Sequence, residues 1–155
     1  MTIPTPAIPP ARMVALRWLD SVLPGQQAGR ALLTPVESWT GNIFVTASHI
    51  SSEIDMYVPV RNNMIQFDIW GRPSPEGQYR GVPINRCDSI AEYLQDQAIH
   101  FNPLLIDMIG NYADVHLSDV YVSDMASAVA EKPPGAVVAL GRARLTVCFV
   151  YKIPI

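Results

Sequence analysis

The stretch RARLTVCFVYKI, residues 142–153, alternates without a break. Ala143, Leu145, Val147, Phe149, Tyr151 and Ile153 share one parity, and Arg142, Arg144, Thr146, Cys148, Val150 and Lys152 share the other. A period of two over this length is the mark of a strand with one buried face. The polar members of the second face lie mostly at its ends, so its middle has the composition of a covered surface as well. Whatever else the chain does, it builds a sheet around this segment.

Other elements are placed outward from it. Residues 1–10, MTIPTPAIPP, hold Pro4, Pro6, Pro9 and Pro10, a density that forbids helix and blocks central strand pairing. They form an arm, and residues 11–155 form one domain. Pro10 opens a helix from Ala11 to Leu23, with Ala15, Leu16, Leu19, Val22 and Leu23 on one face and Arg12, Arg17 and Asp20 off it; Pro24-Gly25 ends it. Gln26 to Gly41 has no firm period and reads as a loop. Asn42 to Ile50 is a strand, in which Ile43, Val45 and Ala47 alternate with Phe44, Thr46 and Ser48. Ser51 to Asn63 is a connection closed by the turn signal Asn62-Asn63. Met64 to Trp70 is a second strand, with Ile65, Phe67 and Ile69 inward.

Two prolines and two glycines in residues 71–77 then break the chain. A helix capped by Asn85 runs to Ile99, burying Cys87, Ile90, Ala91, Leu94 and Ala98. A short apolar piece, Leu104 to Ile109, precedes a strand from Ala113 to Val122. There the parity of Val115 and Leu117 gives way to that of Val120 and Val122, which implies a bulge near Ser118 and Asp119. Asp124 to Gly141 reads as a long exposed connection. The order is helix, strand, strand, helix, strand, strand: an α+β fold with an antiparallel sheet of about four strands and two helices packed on one face.

Composition narrows the function. At 155 residues the chain can bury one core without metals or disulfides. Only 16% of residues are charged against 49% hydrophobic, a balance that leaves apolar surface for partners. The net charge is −3, and Arg12 with Arg17, Arg80 with Arg86, and Arg142 with Arg144 form no run able to neutralise a row of phosphates, which argues against nucleic-acid binding. Cys87 and Cys148 sit in apolar periodic segments and read as buried small hydrophobes. Residues 1–11 lack the basic flank and apolar run of a signal peptide, and no uncharged apolar run is long enough to span a membrane, so the expected place of assembly is the cytoplasm.

Chemistry finds few supports. His49, His100 and His116 are scattered over a strand end, a helix end and a strand, without HExxH or paired cysteines, so no metal is expected. There is no GxSxG elbow, no GxxxxGK phosphate loop and no GxGxxG turn, so neither a cofactor nor a catalytic residue is expected. Glu53 with Asp55 and Asp119 with Asp124 are acidic pairs, but they fall in expected loops or strand edges where solvated carboxylates are common. Devices for assembly are better represented. The arm carries Ile3 and Ile8, and is either a frayed terminus or laid on a neighbour. Two connections too long for hairpin turns carry apolar residues: Ile54, Met56, Tyr57 and Val58 in one, Met125, Val129 and Val137 in the other. These residues are the expected interface.

The segments ALRWLDSVLPG, IFVTASHIS, NNMIQFDIWG with its terminal Trp70, RCDSIAEYLQDQAI and ARLTVCFVYKI resemble, in order and spacing, the tail terminator or tail-completion family of long-tailed bacteriophages. The resemblance runs from about Ala11 to Ile153 and leaves the proline arm unmatched. This chain departs from it in its proline content, in the length of Asp124 to Gly141, and in Gln26 to Gly41. The resemblance implies a structural virion protein: a homo-oligomeric ring, typically a hexamer, that caps the tail tube at its head-proximal end and meets the head-side connector. It implies no enzyme activity, contacts to the tail tube protein, and passage of DNA without specific binding, with Glu53 and Asp55 facing the channel. A neighbouring head–tail joining or tail-tube component is the alternative. A small-molecule-binding domain or enzyme using Tyr93, His100 or His116 is a further one.

Overall fold

The computed structural model describes residues 9–23, 43–54, 61–71, 82–108, 110, 112–131 and 140–152. Among these described residues two helices, α1 (Ala11–Val22) and α2 (Val82–Ile99), accompany five strands: β1 (Ile43–Ile54), β2 (Arg61–Gly71), β3 (Leu104–Ile106), β4 (Val115–Glu131) and β5 (Leu140–Lys152). The strands form one antiparallel sheet in the order β1-β2-β5-β4-β3. The α+β class and the antiparallel sheet agree with the sequence. The sheet has five strands instead of about four, because the short apolar piece at Leu104 pairs with the start of β4.

β5 runs through the middle, and its expected inward set is the core. Ala143, Leu145, Val147, Phe149 and Tyr151 are buried against Val45 and Ala47 of β1, Ile65, Phe67 and Ile69 of β2, and Val115, Leu117 and Val120 of β4. Ile153 lies outside the described residues. Both helices join this one cluster. α2 crosses β2, β5 and β4, while α1 reaches β1 and β2 on one side and β3 on the other, so the sheet curls around it. The α2 stripe is as the spacing requires: Cys87, Ala91, Leu94 and Ala98 are buried and Ile90 packs against the cluster.

α1 buries a broader stripe than the expected one, which supplies Ala15, Leu16 and Leu19 to it. Ala11, Val14, Ala15, Leu16, Trp18 and Leu19 are inside, and Val22 and Leu23 are only partly covered. Trp18 is among the largest fully buried side chains. It stacks on Phe67 with ring centroids 6.2 Å apart and meets the edge of Phe149 at 5.4 Å. Pro10 is the N-cap, and its carbonyl accepts from the amides of Met13 and Val14. Long-range bonds to backbone hold the helix in place. The Arg17 guanidinium donates to the Asp107 carbonyl just after β3, at 3.1 and 2.9 Å, and the Tyr93 hydroxyl of α2 donates to the Val22 carbonyl in the last turn, at 2.6 Å.

Several expected boundaries move. α2 starts at Val82, so Asn85 is inside the helix and not its cap; Pro83 falls in the first turn, where its missing N–H costs nothing. β1 continues past Ile50 through a bulge between His49 and Ser51, and β2 begins at Arg61, so Asn62 and Asn63 are strand and not turn. The interval 124–141 is likewise mostly sheet: residues 124–131 belong to β4 and residues 140 and 141 to β5. The expected bulge beside Ser118 is present between Leu117 and Asp119, with further irregularities between Val122 and Asp124 and between Ala126 and Val129.

Candidate functional site

The helices cover one face of the sheet, and the other face presents alternate residues of β1, β2 and β5. Its centre is Asp68 on β2, flanked in register by Thr46 of β1 and Arg144 of β5. The carboxylate is nearly enclosed and takes several partners. Arg142 approaches its Oδ1 through both Nε and Nη2 at 3.1 Å, Gln66 Nε2 donates to both oxygens at 3.1 Å, and the more exposed Arg144 stands 3.7 Å away. Arg142 also lies over the Trp70 ring, 4.8 Å from its centroid, and the Trp70 indole N–H donates to the Thr46 hydroxyl at 3.2 Å. Trp70 and Leu140 form a small apolar cluster of their own. Every group in this constellation has a partner, and no reacting atom is left poised between acid and base. It is a cross-strand clamp that fixes the register of β1, β2 and β5.

A second polar pair closes the opposite end of the sheet. Buried Asn63 donates from Nδ2 to the Tyr151 hydroxyl at 3.0 Å. Burial raises the Tyr151 pKa above its ordinary 10.0, against the lowering effect of nearby Arg61. On α2, burial pushes the Cys87 thiol up to about 11, with Asp88 adding to the rise and Arg86 opposing it; the thiol faces the Gly141 carbonyl at 3.7 Å. A thiol held protonated is a poor nucleophile. Cys148 is buried and free as well.

The histidines are not brought together. His49 lies on β1, His116 on β4, and His100 follows α2 and pairs with Asp96 at 3.3 Å. Among the described residues no group of His, Cys, Asp and Glu could hold a metal ion, and no helix is long and apolar enough to cross a membrane. Asp119 and Asp124 are exposed on β4, the first accepting the amide of Val120.

The expected interface divides as follows. Glu53 and Ile54 end β1 in register with Asn62 and Arg61, so they belong to a strand and not to a loop. Met125 and Val129 are likewise on β4, opposite Leu145 and Arg142, and not in an exposed connection. Asp55, Met56, Tyr57, Val58, Val137, Ile3 and Ile8 lie outside the described residues. What the sequence reading missed is where the sheet leaves apolar side chains in water. On strands, the large exposed ones are Ile50 of β1, Leu104 and Leu105 of β3, and Tyr121 and Met125 of β4. They lie on β1, on β3 and on the part of β4 beyond its pairing with β3, and the described residues of β2 and β5 contribute none. The outer margins were hidden because strand order cannot be read from periodicity. Comparison with family models, with curated proteins and with solved structures gives no match to this chain.

Proposed function

We propose that this chain is a structural subunit of a bacteriophage tail, assembling with copies of itself into a ring of about six that caps the tail tube and meets the head-side connector. The observation that carries the assembly half of this reading is the distribution of exposed apolar side chains. Ile50 lies at one margin of the sheet, and Leu104, Leu105, Tyr121 and Met125 lie at the other. Fully burying a side chain of this kind stabilises by about 1.5–3 kcal/mol, so margins like these favour contact with a partner. The phage half rests on the resemblance, whose segments coincide in order with α1, β1, β2, α2 and β5. In this reading the subunit catalyses nothing, the sheet and helices are a rigid wedge, and Glu53 and Asp55 face the channel through which DNA passes. Reversing the charge of those two residues slows ejection if they line it; unchanged DNA passage counts against that placement. A neighbouring head–tail joining component would use the same margins against a different partner.

Light scattering on the purified chain across a concentration series tests the assembly. The expected result is a species of about six subunits whose population follows mass action. A strict monomer, unchanged when tail tubes are added, would overturn the reading in favour of a binding domain with Tyr93, His100 or His116 as its polar handles.

A further inference from the structure

β4 and β5 do not keep step along the second half of their pairing. Val122 is opposite Val147 and Asp124 opposite Thr146, two steps on β4 against one on β5. Ala126 is opposite Arg144 and Val129 opposite Arg142, three steps against two. Each mismatch is a bulge that leaves one β4 residue over. Between the two bulges only Asp124, Met125 and Ala126 are in register, with Thr146, Leu145 and Arg144. Burial is what specifies a strand's register, because a one-residue slip carries each side chain to the other face. Burial does not fix these three: every side chain from Ser123 to Ser127 is exposed, Met125 at 39% included. The bulges are chemically alike as well. At the first, the Ser123 hydroxyl donates to the Thr146 carbonyl at 3.5 Å, and Ser127 brings the same group to the second. On the near side Val115, Leu117 and Val120 hold β4 in the core, and on the far side Val129, Ala130 and Glu131 resume the pairing with Arg142, Gly141 and Leu140.

We infer that residues 124–126 are a two-position switch within β4: the extra residue at Ser123 passes to the second bulge, and the segment moves one step along β5 while both flanks stay in place. The register leaves room for this. Between the fixed pairs Val122–Val147 and Val129–Arg142, the six β4 residues 123–128 face the four β5 residues 143–146, so two are left over wherever the bulges fall. In the second position Ser123, Asp124, Met125 and Ala126 stand opposite Thr146, Leu145, Arg144 and Ala143, with residues 127 and 128 bulged together. All four β5 residues are opposed in either position, so the ladder is as long. Directly opposed residues share a face. Met125 therefore leaves the side of Leu145, under the helices, and stands beside Arg144 on the helix-free side. Asp124 makes the reverse move, into a position where Met125 is 39% exposed and a carboxylate stays hydrated. A partner that grips Met125 on one face selects one of the two positions. The switch stands apart from the ring reading and does not depend on it.

Disulfide trapping in the full chain tests the switch, with peptide mapping by mass spectrometry to identify the bond formed. Ala126→Cys with Arg144→Cys reads the first position and Met125→Cys with Arg144→Cys the second, so the β5 partner is common to both. In an oxidising glutathione buffer both pairs are expected to close, the second about ten- to a hundredfold more slowly, as a minor state of roughly 1–10% would. Val122→Cys is one step out of register with the native Cys148, on the part of β4 that the core holds, and is expected to stay reduced. Closure by one pair only, or by neither, overturns the inference. So does closure by Val122→Cys, which would mean that the strand slides as a whole. Relaxation-dispersion NMR on the unsubstituted chain supplies a second measurement. Microsecond-to-millisecond exchange is expected at the amides of residues 123–128 and not at 115–122, and its absence from 123–128 likewise overturns the switch.

Discussion

Trp18 is the side chain on which the fit between α1 and the sheet depends, and its removal has a calculable cost. It is 1% exposed and touches Phe67 and Phe149. A tryptophan buries about 150–250 Å². At about 25 cal/mol per Å², truncation to alanine forfeits most of about 4–6 kcal/mol. The two aromatic contacts add about 0.5–1.5 kcal/mol each, and partial collapse of the cavity recovers some of the total. Measured losses for such truncations are about 3–5 kcal/mol. We expect Trp18→Ala to cost about 4–5 kcal/mol, a large share of the roughly 5–15 kcal/mol that holds a domain together. Trp18→Phe, which keeps an aromatic ring in the site, should cost about 2 kcal/mol. Urea unfolding followed by far-ultraviolet circular dichroism measures both, with Ile99→Ala, at a 71% exposed site, as the control expected within about 0.5 kcal/mol of the parent. A Trp18→Ala loss below about 1.5 kcal/mol would refute the placement of α1 on the sheet.

Two other outcomes follow from the polar groups. Asp68→Ala should cost about 2 kcal/mol, between an exposed pair and a fully buried one, and double-mutant cycles should find stronger coupling to Arg142 than to Arg144; equal coupling contradicts the clamp geometry. Folding holds the Cys87 thiol protonated, so its contribution is fully present below pH 9.0 and is lost as pH rises toward about 11. Stability should fall there with a limiting slope of about 1.4 kcal/mol per pH unit, Tyr151 adding its own loss above 10.0, and Cys87→Ala should flatten the part between 9 and 10. An unchanged slope in Cys87→Ala would assign the alkaline loss to other groups.

The parts of the fold that were legible in the sequence are those whose side chains alternate strongly. β5, the middle of β2 and the stripe of α2 announce themselves, since a one-residue slip of a strand would turn Phe149 or Phe67 off the helix-covered face, and Leu94 recurs at helical spacing with Cys87, Ala91 and Ala98. Trp18 could have been found. Ala11, Val14, Ala15, Trp18 and Leu19 form an i, i+3, i+4, i+7, i+8 series that widens the stripe expected from Ala15, Leu16, Leu19, Val22 and Leu23. The second half of β4 was not legible. Its run of Ser, Ala and Asp has weak strand preference, its bulges break the parity, and pairing with β5 is what makes it a strand. Asn62 and Asn63 look like a turn because the Tyr121 and Tyr151 hydroxyls that satisfy them come from strands far along the chain. The interface residues expected from loop composition were legible only as apolar punctuation; which of them lie at a margin of the sheet depends on strand order.

The seam between β2 and β5 separates the molecule by time as well as by space. β1 and β2 are neighbours in the chain and can pair as soon as they leave the ribosome, and β3, β4 and β5 can do the same among themselves. Arg61 finds Tyr151, and Phe67 finds Leu145, only when β5 has been made. Until then the nascent chain carries a two-stranded ribbon with the inner edge of β2 unpaired, a feature that invites association with the wrong chain. Synthesis of β5 is thus the sealing event, and slowing translation or stalling it within residues 140–152 should send the protein to chaperones or aggregates rather than into assemblies.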